Sequence, residues 1–80
     1  MRLTRPQERL LTTLALDSSP CFDHALRVYA DGERIAGDQW PTLLTLFELE
    51  LVTFGVLYAL RPHGEITITD DGLDVLAALN

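Results

Sequence analysis

The sequence has no lysine and a single cysteine, Cys21, among its 80 residues. One cysteine cannot form an intrachain bridge, so a disulfide framework is excluded. The longest uncharged apolar run covers only residues 54–60, far short of the roughly 20 residues that a membrane helix needs. Because no export signal accompanies the reduced thiol, we expect a cytoplasmic protein that does not contact a membrane.

Positive charge is scarce and unevenly placed. The chain has six arginines and twelve acidic residues, which gives a formal net charge of −6. Residues 1–34 hold five arginines and five acidic residues, whereas residues 35–80 hold Arg61 alone against seven acidic residues. The second half therefore carries the whole net charge. Such a surface repels a phosphate backbone, so direct DNA binding is not expected and a basic partner is favoured.

Hydrophobic residues make up 48% of the chain, which predicts a packed core rather than disorder. At this length we expect one domain over residues 1–80. A core of this size stabilises a fold by only about 3–5 kcal/mol. We therefore expect a partner protein or a second copy of the chain to contribute stability.

The first helix is predicted over residues 5–16. Thr4 and Gln7 have the spacing of a capping box, and Pro6 between them suits a first helical turn. Its apolar stripe consists of Leu10, Leu11 and Leu14.

Residues 17–37 allow two interpretations. Pro20 starts a helix well, and Phe22, Leu26 and Tyr29 follow at helical spacing. Against this, residues 26–30 are rich in strand formers, and the Asp-Gly pair at 31–32 is a strong hairpin signal. The hairpin, with residues 33–36 as its return strand, is slightly favoured.

A second helix is predicted to begin near Asp38, a plausible N-cap, with Pro41 in its first turn. A helical wheel assigns one arc to the core. That arc consists of Trp40, Leu43, Leu44, Phe47 and Leu51. Leu46 and Leu49 fall outside it, so we expect a second surface to cover this pair.

Two strands and a final helix complete the prediction. Residues 52–60 favour a strand, 61–64 have turn chemistry, and 65–69 alternate as a return strand. Thr69 can cap the last helix, with three carboxylates near its positive end. These are Asp70, Asp71 and Asp74.

Three segments carry a resemblance: LTRPQERLL at 3–11, WPTLLTLFELELV at 40–52 and ITITDDGLDVLAAL at 66–79. Together they resemble winged helix-turn-helix domains of bacteria and phages. The resemblance implies an α+β fold with a helix, a hairpin or short helix, a helix, a two-stranded wing and a C-terminal helix. Gly72 fits because a side chain there would hold the last helix away from its neighbours.

The resemblance departs at the recognition helix. DNA-reading members carry cations or amides on its outer face. The outer positions here are Thr42, Thr45, Glu48 and Glu50, and the wing turn offers only Arg61 and His63. Glu50 also replaces the glycine that usually closes this helix.

Catalytic and metal-binding interpretations find little support. Cys21, Asp23 and His24 are close in sequence, but zinc requires three or four protein ligands at typical spacings. A nucleophile would also need an orienting group and an oxyanion site. We expect no enzyme, no cofactor and no metal.

The leading hypothesis is a protein-binding inhibitor that docks on a basic, nucleic-acid-binding surface. In size, charge and scaffold the chain is similar to phage anti-CRISPR proteins, which implies a CRISPR effector complex as partner. The expected contact residues are the acids Glu48, Glu50, Glu65, Asp70, Asp71 and Asp74, with Leu46 and Leu49 as an apolar anchor.

The alternative hypothesis is a winged-helix transcriptional regulator that contacts phosphate through the first helix. Its cations would be Arg2, Arg5 and Arg9. A homodimer through Leu46 and Leu49 would accompany this function.

Overall fold

The computed structural model describes residues 2–16, 20–23, 25–30, 33–57 and 63–79, with backbone alone at 56, 57 and 63. These ranges contain three helices and five strands, so the expected α+β class is confirmed. The elements are α1 (Arg5–Leu16), β1 (Cys21–Phe22), β2 (Val28–Ala30), β3 (Glu33–Arg34), α2 (Trp40–Glu48), β4 (Val52–Leu57), β5 (His63–Ile68) and α3 (Asp70–Leu79).

The strands form one antiparallel sheet in the order β3-β2-β1-β5-β4. This sheet of five strands within the described residues replaces the two-stranded wing that the sequence predicted. Strand β1, which was not predicted, connects the two hairpins because it pairs with both β2 and β5. Phe22 of β1 lies directly over Gly64 of β5, where a Cβ atom would overlap its ring.

The hairpin interpretation of residues 17–37 is correct and the helical one is wrong, but the return strand covers only Glu33–Arg34 instead of residues 33–36. Tyr29 pairs with Arg34 and Ala30 with Glu33. The predicted Asp-Gly turn at residues 31–32 lies outside the described residues.

Helix α1 has the predicted bounds and the predicted cap. The Thr4 N–H donates to Gln7 Oε1 at 2.8 Å, and the Gln7 N–H donates to Thr4 Oγ1 at 3.3 Å. These reciprocal bonds satisfy two of the N–H groups that a helix start leaves open. The stripe of Leu10, Leu11 and Leu14 is buried.

The predicted boundaries of α2 need correction. Gln39, rather than Asp38, occupies the N-cap, and it makes no side-chain capping bond. Pro41 lies in the first turn as predicted. The helix ends at Glu48, so Leu51 is buried after the helix rather than on its face.

The predicted core face of α2 also needs correction. Leu46 is fully buried, while Leu44 and Phe47 are 36% and 44% exposed. Leu46 therefore belongs to the core and cannot form an external apolar pair with Leu49. Helix α2 is apolar on nearly all sides, and its packing against α1 determined which side became buried.

The last part of the chain agrees largely with the prediction. His63 and Gly64 are strand residues instead of turn residues, while the remainder of that turn, 61–62, and residues 58–60 lie outside the described residues. The Gly72 N–H donates to Thr69 Oγ1 at 3.0 Å, which confirms the predicted cap.

Candidate protein-binding surface

The turn that follows α2 determines where two carboxylates lie. The Glu50 N–H donates to the carbonyl of Phe47 at 2.9 Å, and the Leu51 N–H donates to that of Leu46 at 3.0 Å. This is the Schellman pattern, in which the residue after the C-cap takes the left-handed conformation usually given to glycine. Glu50 occupies that position with φ +62°. A charged residue therefore adopts a strained backbone conformation at this turn.

Hydrogen bonds connect this turn to the start of α3. Thr69 Oγ1 donates to the carbonyl of Glu50 at 2.7 Å, and the Thr69 N–H donates to the carbonyl of Leu51 at 3.0 Å. Gly72 completes the contact, since a Cβ there would overlap the Leu51 carbonyl oxygen. The end of α2 and the start of α3 consequently lie side by side.

This junction brings together four of the six predicted acids. We call the group formed by Glu48, Glu50, Asp70 and Asp71 the acid corner. All four are exposed, and no ion pair within the described residues neutralises them. Asp70 and Asp71 lie in the first turn of α3, where the helix dipole favours negative charge.

A shallow groove of about 480 Å³ adjoins the acid corner. Phe47, Val52 and Thr53 line it together with Glu48 and Glu50. The ring of Phe47 stacks on that of Phe54 with centroids 4.6 Å apart and planes 11° apart. The Phe47 ring is exposed, is held in place by this stacking, and is flanked by carboxylates. Such a site suits an arginine, whose aliphatic part can pack on the ring while its guanidinium group binds the carboxylates.

Two predicted acids lie elsewhere. Glu65 stands opposite Gly55 and Cys21 on the sheet face remote from the helices. Asp74 lines a separate groove with Arg2 and Glu8.

The apolar anchor also differs from the prediction. Leu49 is 38% exposed, but its predicted companion Leu46 is buried. Phe47 was missed because the wheel assigned it to the core. Its position directly before Glu48, at the end of the helix, was the available signal.

Asp23 is hydrogen-bonded within the loop between β1 and β2. Its Oδ1 accepts bonds from the Ala25 and Arg27 N–H groups, and its Oδ2 accepts from Arg27 Nε and the Tyr29 hydroxyl, each at 2.8 to 3.0 Å. Partial burial raises the pKa of Asp23, but these bonds outweigh it and hold that pKa well below its usual range. The bond that the Tyr29 hydroxyl donates to Asp23 also raises the pKa of Tyr29. His24 lies outside the described residues.

The arginines of the alternative hypothesis lie far along the chain from the acid corner. Arg5 and Arg9 are exposed one turn apart on α1, with the partly buried Glu8 beside them. Helix α2, which the sequence resemblance assigned as the recognition helix, carries no cation.

Among the described residues, no group of three or more His, Cys, Asp or Glu side chains is arranged to hold a metal ion. No helix in the same ranges is long and apolar enough to cross a membrane. Comparison with known protein families, curated proteins and solved structures finds no match in any of the three.

Proposed function

We propose that this winged-helix-like chain is a small, non-catalytic, cytoplasmic inhibitor that docks on a basic, nucleic-acid-binding surface of another protein. The acid corner supplies the charge, and Phe47 supplies the apolar contact. The observation that carries the proposal is the Thr69–Glu50 hydrogen bond, which joins the acids of α2 and α3 into one surface.

The charge arrangement supports a basic partner. Four exposed carboxylates at one corner attract clustered arginine and lysine side chains and accelerate their encounter with the chain. Arginine fits best, because its planar fork binds carboxylates with two hydrogen bonds. A surface occupied in this way is closed to phosphate, so the partner loses its nucleic acid. Phage anti-CRISPR proteins provide the model for this mode of inhibition, with a CRISPR effector complex as the target.

The strain at Glu50 supports the same proposal. Glycine at this position would close the helix without the steric cost that a side chain brings to a positive φ. A strained residue that carries charge on an exposed surface is typical of a functional site.

The alternative remains a transcriptional regulator that binds DNA through Arg2, Arg5 and Arg9. The exposed face of α1 that carries Arg5 and Arg9 is the observation in its favour. It predicts tight duplex binding whose affinity falls steeply with salt concentration.

Charge reversal tests the leading proposal. The wild-type chain is used to capture proteins from a host lysate, and the captured protein is then purified and tested for nucleic-acid binding with and without the chain. We expect E48K/E50K to lose capture and inhibition. The matched control E33K/D38K reverses two exposed acids outside the acid corner and should retain both.

Either of two results would refute the proposal. One is equal capture and inhibition by E48K/E50K and the wild type. The other is tight duplex-DNA binding by the wild type with a steep salt dependence, abolished by R5A/R9A.

A further inference from the structure

The phenylalanines and the tryptophan of this chain lie together, and none of them is fully buried. The sequence has three phenylalanines and one tryptophan, and all four rings pack against one another with neighbouring centroids 4.6 to 5.9 Å apart. The buried hydrophobic residues of the described ranges are instead leucine, valine and isoleucine. Partly exposed aromatic rings are typical of the centre of a protein interface. These four are Phe22, Trp40, Phe47 and Phe54.

Three of the rings form a nearly parallel stack along α2. Trp40 and Phe54 have centroids 5.9 Å apart and planes 24° apart, and Phe47 stacks on the other side of Phe54 at 4.6 Å. Trp40 and Phe47 are separated by two turns of α2, a rise of about 10.5 Å. This rise matches the length of the two stacking steps, so Phe54 of β4 lies between the two helix residues. Phe47 is therefore the terminal ring of the stack, at the carboxyl end of α2.

The free face of the Phe47 ring is turned to the groove at the end of α2. Phe54 covers the face directed toward the start of the helix, so the other face is directed toward the end, where Glu48 and Glu50 line the groove. Phe47 is 44% exposed, and the residues that line this groove include no cation. The groove thus offers an accessible aromatic face and two carboxylates to the same ligand.

The strained turn after α2 brings the second carboxylate to this groove. Residues two positions apart on a helix are about 200° apart around its axis, so a continued helix would direct Glu48 and Glu50 to opposite sides. The left-handed conformation of Glu50, with φ +62°, ends the helix before that happens. Both residues line one groove as a result, which gives the strain at Glu50 a role in binding.

The chemistry of the groove determines which ligand fits it. An aromatic face attracts cations, and the two carboxylates repel phosphates and other anions. A lysine ammonium group is a compact, strongly hydrated point charge, whereas an arginine guanidinium group is planar, weakly hydrated and able to stack on a ring. Because its N–H groups point outward in its own plane, it can bind carboxylates beside the ring while its face lies on the ring.

We infer that this groove binds one arginine side chain of the partner and distinguishes it from lysine. The Cδ atom and the guanidinium plane lie on the free face of Phe47, where they continue the stack formed with Phe54. The guanidinium edge donates hydrogen bonds to the carboxylates of Glu48 and Glu50. The inference rests on the proposed function for its partner, and it narrows that partner to a protein whose basic surface presents an arginine at the contact.

Short blocked peptides test the site in the wild-type chain without the partner. The probes are acetyl-Gly-Arg-Gly-amide and the same peptide with lysine or with citrulline, a neutral analogue of arginine, and two-dimensional NMR follows their binding. We expect the arginine peptide to shift the signals of Phe47, Glu48 and Glu50 and to bind about fivefold more tightly than the lysine peptide. The citrulline peptide should not saturate the site, and added salt should weaken arginine binding.

Two substitutions at the end of α2 provide a matched pair. F47L and L49A each replace an exposed apolar side chain by a smaller one, but only residue 47 lines the groove. F47L should bind the arginine and lysine peptides equally, through the carboxylates alone, whereas L49A should retain the wild-type preference for arginine. Circular dichroism verifies that each variant is folded.

The possible results distinguish failure of this site from failure of the proposed function. Equal affinity of the wild type for the two charged peptides would overturn the inference, and so would arginine-induced shifts remote from Phe47 or an undiminished arginine preference in folded F47L. If E48K/E50K still loses partner capture in that case, the proposed function stands. Arginine preference in the wild type together with unchanged capture by E48K/E50K would support the site and refute the proposed function.

Discussion

The hydroxyl of Thr69 donates to the carbonyl of Glu50 at 2.7 Å while its oxygen accepts a bond from the Gly72 N–H at 3.0 Å. One side chain thus caps α3 and joins that helix to the turn after α2. Because of this double role, the chain positions that carry the acids at the end of α2 and the start of α3 lie close together.

Substitution of Thr69 by valine should therefore destabilise the fold. T69V keeps the shape but removes both bonds, and we expect a loss of about 1–2 kcal/mol in the free energy of unfolding. Urea denaturation measures it. T69S, which retains the hydroxyl, should recover most of the loss, and T67V on the exposed sheet face should change stability by less than about 0.5 kcal/mol. Equal midpoints for T69V and T67V would contradict the prediction.

Glycine at position 50 should separate stability from binding. E50G relieves the left-handed strain and should stabilise the chain by about 0.5–1 kcal/mol, after the entropy that glycine adds to the unfolded state is subtracted. It also removes one carboxylate of the acid corner, so partner capture should weaken. L26G provides the control, because Leu26 has the same φ of +62° in the loop held by Asp23. It should relieve similar strain while leaving capture unchanged.

Two glycines should respond in opposite directions to alanine. A Cβ on Gly72 would overlap the backbone of Leu51 and the side chain of Ile68, so G72A should cost about 2–3 kcal/mol through displacement of α3. G55A meets open space and should gain about 0.5 kcal/mol by restricting the unfolded chain. Thermal unfolding of both variants tests the pair. A G72A protein as stable as G55A would show that α3 does not pack as described.

Stability should depend on pH through Asp23 and Tyr29. The folded-state pKa of Asp23 lies below its ordinary value of 3.8, so its contribution is present above about pH 4 and is lost as the pH falls further. The pKa of Tyr29 is raised above 10.0, so its contribution is present below about pH 10 and is lost as the pH rises through the folded-state value.

Urea midpoints across the pH range measure both limbs. D23N should flatten the acid limb, and Y29F should flatten the alkaline limb while retaining an acid limb. If the acid limb of D23N is as steep as that of the wild type, other carboxylates cause the loss of stability at low pH and the prediction is wrong.

Local signals in the sequence determined where α1 and α3 begin. The Thr4–Gln7 capping box and the Thr69 cap involve residues no more than three positions apart, so spacing alone identifies them. The Asp-Gly pair likewise favoured the hairpin that β2 and β3 form. The sequence showed that residues 35–80 contain seven acidic residues, but it did not show which of them lie close together in the fold.

Tertiary structure decided which face of α2 is buried. An almost entirely apolar helix offers several equivalent faces, and packing against α1 selected Leu46 over Phe47. It also brought β1 between the hairpins, because a two-residue strand has too little periodicity to be recognised. The acid corner required residues 19 positions apart to meet through Thr69 and Glu50. The sequence thus determined the local elements and the total charge, whereas long-range packing decided which charges share a surface.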